Sequence, residues 1–257
     1  MGLIACSSPS LWRMGAHRPS SRALWGGAML VGLLIVTTAA CSTLPRDPEK
    51  TLEHIRQRHQ MRVGLIENPP WVARTTGEPA GVEVQLVRSF AQSLDATPEW
   101  FWGAEQHHME ALEHFELDLV IEGLEAKTPW SKTIGLTRPY FEEAIVVGVP
   151  PGVQPPGRLS GVQVAVHGGD VAAAYLMKKD AVPVRVTDVS HVSGPVAAPA
   201  WRLEAMGFSL TKFRLLERKH VMAVPPGENG WLKRLGDFLQ SKKTDTKHLL
   251  EASEAQK

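Results

Sequence analysis

The chain has 257 residues, 43% hydrophobic and 21% charged, which is enough apolar material for one large domain or two lobes with buried cores. With 28 basic residues against 27 acids the formal net charge is +1, and no basic stripe runs along the sequence, so nucleic acid is excluded as the expected partner. Residues 1–22 carry Arg13, Arg18 and Arg22 and no acid, and 23–40 carry no charge around the apolar "MLVGLLIV". "TTAAC" then ends on Cys41. A basic start, a short apolar centre and small residues predict an export signal over 1–40, with a retained membrane helix as the alternative. Cleavage before Cys41 removes Cys6, so no intramolecular disulfide is available to the mature chain. It also removes three of the 28 basic residues, leaving 25 against 27 acids.

Residues 41–50, "CSTLPRDPEK", read as a tether. "TLEHIRQRHQ" predicts a short helix and "MRVGLI" a first strand, broken by "ENPPW" because two prolines cannot sit inside a sheet. In "GVEVQLVRSFAQSLD", Val82, Leu86, Phe90 and Leu94 recur at fourfold spacing beside Val87 and Ala91, giving a helix one apolar face. "TPEWFW" reads as a strand, "HHMEALEHFE" as a helix and "LDLVIEGL" as a buried strand. "VPPGVQPPGRLSG" (149–161), with four prolines and three glycines, reads as a linker or hinge. Beyond it come "VQVAVHGG" (strand), "DVAAAYLMKKD" (helix) and "VPVRVTD" (strand). "GPVAAPAWRLEAMG" predicts a helix opening, "HVMAVPP" a strand and "NGWLKRLGDFLQSKK" an amphipathic helix. Strands alternating with helices predict an α/β fold with parallel pairing.

The order "VGLIENPPW…GEPAGVEVQLVRSFAQSL…MEALEHFELDLVIEGL…TRPYF" resembles the family 3 extracellular solute-binding proteins, the two-lobed receptors of ABC importers. Its marks are Pro69-Pro70-Trp71, Gly77 and Gly81, Asp118, and Pro139-Tyr140, and it covers about Thr51 to Leu239. The resemblance implies a two-lobed, periplasmic-binding-protein-like (type II) fold with a hinge and a central cleft. Lobe one is expected over 51–148, lobe two over 149–221, and a return to lobe one with a C-terminal helix and tail over 222–257. The crossings are expected near Val147–Pro150 and Val221–Val224. "TTAAC" likewise resembles a bacterial lipobox with Thr38 in place of Leu, which implies that Cys41 is acylated and that the protein is anchored in the cell envelope, facing the periplasm.

The resemblance also exposes what is missing. The arginine that clamps a ligand carboxylate in the family falls on Trp130, or on Ser131 after a one-residue slip, and the preceding threonine falls on Glu125. The family's Gly-Thr-Thr becomes Gly168-Gly169-Asp170, and its amino-group aspartate falls on Ala197. Neither register supplies a bidentate guanidinium. The expected ligand-binding residues are therefore Glu67, Trp71, Glu122, Gly123, Glu125, Trp130, Gly169 and Asp170, with Trp71 and Trp130 facing each other across lobe one. Trp faces and carboxylates suit a cation. A neutral polar solute, or no ligand, is the alternative, with Lys127 offsetting part of the charge. His107, His108, Glu110 and His114 share one predicted helix, but an exposed polar face accounts for them better than a metal site. The chain offers no nucleophile–base pair, so no catalytic residue, metal or cofactor is expected. Three functional classes follow: a solute receptor working as a monomer with a membrane permease, a cyclohexadienyl-dehydratase-like enzyme on the same fold, and a degenerate receptor acting in sensing.

Overall fold

The computed structural model describes residues 47–255, so the export signal and Cys41 lie outside the described residues. Among the described residues no helix is long and apolar enough to cross a membrane. The elements are α1 (Thr51–Arg58), β1 (Gln60–Leu65), α2 (Val82–Gln92), β2 (Thr97–Trp102), α3 (Glu105–Glu113), β3 (Leu119–Ile121), β4 (Gly135–Leu136) and β5 (Phe141–Val149). They continue with β6 (Gln163–His167), α4 (Ala172–Met177), β7 (Val182–Val186), β8 (Val196–Pro199), α5 (Ala200–Ala205), β9 (Ser209–His220), β10 (Ala223–Val224), α6 (Asn229–Ser241) and α7 (Lys243–Ala255).

Two five-stranded mixed sheets result, in the order β2-β1-β3-β10-β4 and β7-β6-β8-β5-β9. In the first, β1 runs parallel to β2 and β3, and β10 pairs antiparallel with β3 and β4. In the second, β6 runs parallel to β7 and β8, while β5 is antiparallel to β8 and β9. Alternation along β1 sends Met61, Val63 and Leu65 into one core with Phe90 of α2 and Trp231 of α6. The opposite face takes the ring of His108, against which a Cβ on Gly64 would stand at 3.0 Å. His108 is thus a packed core residue of α3, and burial lowers its pKa from the ordinary value. Around the second sheet Ile145, Val147, Val164, Val166 and Leu176 form a separate core.

Asp118, buried before β3, ties the first sheet to its neighbours. It accepts the Arg62 backbone N–H at 2.7 Å and the Arg62 guanidinium at 2.8 Å, and also pairs with Arg58 of α1. Gly81 starts α2 at φ 118°, where a Cβ would stand 2.3 Å from the Trp71 carbonyl, so only glycine fits.

Three expectations are corrected. The nine-residue β5 is paired along its length with β9, so it belongs to the second sheet and the division falls before Phe141, not at 148/149. The proline-rich 149–161 stretch leaves β5 as a largely exposed loop and is not the hinge. The crossings are 137–140 and 220–222, laced side by side: Thr137 N–H donates to the Met222 carbonyl, Tyr140 N–H to the His220 carbonyl, and Met222 N–H to Thr137 Oγ1, each at 3.0 Å. Second, "GPVAAPAW" is not a helix opening throughout: Val196–Pro199 is β8, paired between β5 and β6, and the helix starts only at Ala200. Third, the expected tail is a 13-residue helix, α7. Its Leu250 is buried in the core of the first sheet. Its Glu254 and Lys247 meet Arg202 (2.8 Å) and Glu204 (3.0 Å) of α5, which flanks the second sheet. Helix α7 therefore straps both halves.

Candidate functional site

Between the two sheets lies a cavity of about 1110 Å³, lined from one side by Asn68, Trp71, Gly123 and Glu125 and from the other by Glu143, Gly169, Asp170, Arg218 and His220. The β5–β9 register builds its floor. Glu143 stands opposite Arg218, and Phe141 opposite His220. Alternation along β9 turns Arg218 and His220 inward and leaves Glu217 and Lys219 exposed.

Arg218 is the centre of this arrangement. Its Nη2 donates to Asp170 Oδ1 at 2.9 Å, and its Nη1 and Nε lie 3.4 Å from Glu143 Oε2 and Glu125 Oε1. Glu125 follows β3 in the first half, whereas Asp170 precedes α4 in the second, where Oδ1 also accepts the Ala172 N–H at 2.9 Å. Three carboxylates from both halves thus enclose one guanidinium whose side chain is 19% exposed. Burial pushes Glu143 up, but the His220 imidazole, the Trp201 indole N–H at 2.9 Å and the Arg218 guanidinium together hold its pKa below the ordinary value. Counting all charged lining residues, Glu125, Glu143, Asp170, Asp188 and Glu254 face Arg202 and Arg218, so the cavity is acidic.

The aromatic wall is closed. Trp71 is 4% exposed, and the His220 ring covers it at a centroid distance of 4.1 Å. His220 Nδ1 donates to the Gly123 carbonyl at 3.0 Å. Gly123 has φ 69°, and a Cβ there would stand 2.4 Å from the Trp71 indole, so the backbone approaches the ring only without a side chain. The Gly123 N–H donates to Glu83 Oε2 at 2.7 Å, and Tyr140 donates its hydroxyl to Glu83 Oε1 at 2.6 Å. Glu83 therefore fixes the glycine and the first crossing from inside α2. Burial raises its pKa from the ordinary value, against the opposing hydrogen bonds from Tyr140 and Gly123.

Of the residues expected from sequence, Trp71, Gly123, Glu125, Gly169 and Asp170 line the cavity. Glu67, Glu122 and Trp130 do not. Glu67 is exposed and pairs with Arg74 at 3.9 Å. Trp130, in a short 3₁₀ turn started by Thr128 and Pro129, packs on the Met109–Leu112–Ile134 cluster and donates its indole N–H to Glu105 at 2.7 Å. Its ring therefore does not face Trp71, whose own face is taken by His220. Glu122 is 9% exposed, and its Oε1 has no hydrogen-bond partner. Burial, then the charges of Glu105 and Glu83, raise its pKa from 4.5 to about 8. Arg218, Glu143 and His220 escaped the sequence reading. A period-two reading of "LLERKH" as strand would have placed Arg218 and His220 on one face.

Residues 61–251 match the family described as bacterial extracellular solute-binding proteins, family 3. The membrane-bound lytic murein transglycosylase F of Vibrio cholerae serotype O1 is 31% identical over 110 residues, which are 42% of this chain but only a fifth of that protein. Among solved structures, an ancestral cationic amino acid solute binding protein superposes with a TM-score of 0.64 at 18% identity, over 79% of this chain and 98% of its own. A substrate binding protein of a polar amino acid ABC uptake transporter from Streptococcus thermophilus gives 0.65 at 11% identity, over 79% and 88%.

Proposed function

Because the chain belongs to the bacterial extracellular solute-binding proteins of family 3, we propose that it is an envelope receptor for a small cationic solute, handing that solute to an ABC-type permease. One observation carries the choice of solute: carboxylates from both halves, Glu125 and Asp170, converge with Glu143 on a single guanidinium in the cleft. A free carboxylate entering there would meet these acids and find the Arg218 guanidinium enclosed by them and that of Arg202 paired with Glu254 at 2.8 Å, which disfavours glutamate-like ligands. A cation gains from the same field, which is stronger out of water. The solved relative described as binding cationic amino acids supports this class of solute. Closure of the halves about the 137–140 and 220–222 crossings would bring Asp170 and Glu125 onto one ligand.

Isothermal calorimetry with the purified chain tests the reading. Arginine, lysine, agmatine or a betaine is expected to bind and glutamate not to. Asp170→Asn should weaken binding by roughly tenfold, whereas Trp130→Ala, outside the lining, should leave it within about twofold. Tight glutamate binding indifferent to Asp170→Asn overturns it.

Membrane attachment through Cys41 belongs to the same proposal, supported by "TTAAC". Cys41→Ser should abolish detergent partitioning and leave the precursor uncleaved; an unchanged mature size and membrane association would count against it. Catalysis is not part of the proposal. A dehydratase acting on a small acid would need a guanidinium open to the substrate carboxylate, and Arg218 is enclosed. A second reading, a sensing module, is favoured by one comparison: the curated relative is named as a murein enzyme and carries the similar segment in a much longer chain. Loss of solute uptake on deleting the protein separates receptor from sensor.

A further inference from the structure

We propose that Arg218 is a tethered occupant of the cation subsite, and that a solute binds by exchanging with it. The inference rests on the cationic-solute reading only for the identity of the exchanging group; the self-occupied subsite stands on geometry alone.

The guanidinium is held as a ligand would be. Its nitrogens meet Asp170 at 2.9 Å and Glu143 and Glu125 at 3.4 Å, so all three acids are directed at one planar cation. Those acids come from both sides of the cavity, which is the geometry of a solute clamped between halves and not of a local surface pair. The Nη1–Glu143 hydrogen bond at 3.4 Å is long for a charge-assisted one, and Nε, 3.4 Å from Glu125, has no hydrogen-bond partner, which leaves room for a better-fitting guanidinium. A second polar atom is left over at the same place. His220 Nε2, in a side chain 3% exposed, has no hydrogen-bond partner and stands 3.7 Å from Glu143 Oε2. A buried nitrogen without a partner is costly, and here it flanks the carboxylate that Arg218 would release.

The physics of exchange follows from tethering. A side chain on β9 is present at a high effective concentration, so it outcompetes weak free cations. Apparent affinity for a solute falls by the fraction of molecules in which the subsite is vacated. Arg218 therefore sets a threshold: only a cation that makes additional contacts, for example through a second polar group, displaces it. It also spares the empty cleft the repulsion of three neighbouring carboxylates. Arg218 is in this sense the residue that decides which cations register.

Guanidinium ion itself is the probe. In the purified full chain carrying Arg218→Ala, low-millimolar guanidinium chloride should raise the melting temperature saturably, while sodium chloride at equal ionic strength should not. The parent protein should show no saturable rise, because its subsite is already filled. Calorimetry should show agmatine binding the variant at least about tenfold more tightly than the parent. If Arg218→Ala refolds only in the presence of guanidinium, that rescue supports exchange, and failure to be rescued overturns it. Arg218→Lys is the second variant: it keeps a charge but loses the planar fork, and should gain agmatine affinity to a lesser extent. Equal shifts in parent and variant, or none in either, overturn the proposal. The two readings fail separately. A parent that binds no cationic solute, beside a variant rescued by guanidinium, removes the receptor reading alone. A parent that binds cations with affinity unchanged by Arg218→Ala removes this inference alone.

Discussion

Glu122 and Glu143 are both buried carboxylates within about 20 residues of each other in sequence, yet the molecule treats them oppositely. Glu143 receives the Trp201 indole N–H, faces Arg218 across the β5–β9 pair and lies beside His220, and these partners hold it ionised below the ordinary range. Glu122 has an oxygen without a partner and two acids, Glu105 and Glu83, within electrostatic reach, and its pKa rises to about 8. Burial acts on both in the same sense. The difference lies in what the surrounding elements deliver: β9 brings the Arg218 cation and α5 the Trp201 indole N–H to Glu143, whereas the charges that act on Glu122 are those of the acids Glu105 and Glu83. The charge of these two buried carboxylates is therefore set by partners, not by depth.

The comparison can be broken most forcefully at Glu143. Glu143→Ala leaves a buried indole N–H unpaired and strips Arg218 of one counter-charge, so a loss of about 2–4 kcal/mol is expected in urea unfolding at pH 7. The sign of its pH dependence is fixed by its lowered folded value. Its contribution is present at neutral pH and fades as pH falls through that folded value, so the variant should also lack part of the acid limb of the parent's stability curve. A Glu143→Ala protein as stable as the parent at pH 7 would show that the surrounding donors are not satisfied by this carboxylate.

The smaller effect has the opposite sign. Because the folded value of Glu122 lies above its unfolded 4.5, the group costs nothing below about pH 4.5 and penalises the fold increasingly as pH rises through about 8. Glu122→Gln should remove that penalty. The variant should gain roughly 1–3 kcal/mol over the parent at pH 9 and flatten the alkaline limb, while matching it near pH 5. A parent whose stability does not fall between pH 6 and 9, or a variant that follows the same curve, would mean that Glu122 is ionised and solvated.

The asymmetry between these two acids also explains how far the sequence could be read. The first half is built from βα units whose period is plain, so Met61–Leu65, the α2 face and the strand before Glu122 were legible; Trp71, Gly123 and Glu125, with Gly169 and Asp170 of the second half, were named through the family resemblance and line the cavity. The second half hides its key strands. β9, "SLTKFRLLERKH", alternates charges with apolar residues, and β5 opens with "FEE", so neither looks like a buried strand in one dimension. Each has a meaning only through the other, since the 141↔220 and 143↔218 register brings the site's cation to its acids. Long-range antiparallel pairing leaves no local signal of that kind. The same blindness misplaced Trp130. Its position in the family pattern is that of a ligand clamp, but an indole with an acceptor at Glu105 and an apolar cluster beneath it gains more by lying on lobe one than by reaching into water.

Helix α7 has a practical use for anyone wishing to watch this cleft. Leu250 anchors it in one core while Lys247 and Glu254 grip α5 beside the other, and Glu254 itself reaches the cavity wall. A fluorescent label at the last turn of α7 would therefore ride at the rim of the cleft, on a helix in contact with both halves. Its emission would respond both to a charged solute arriving nearby and to any rearrangement that loosens the Arg202–Glu254 pair. The protein thus carries, in α7, a natural attachment point for an optical sensor of whatever solute it takes.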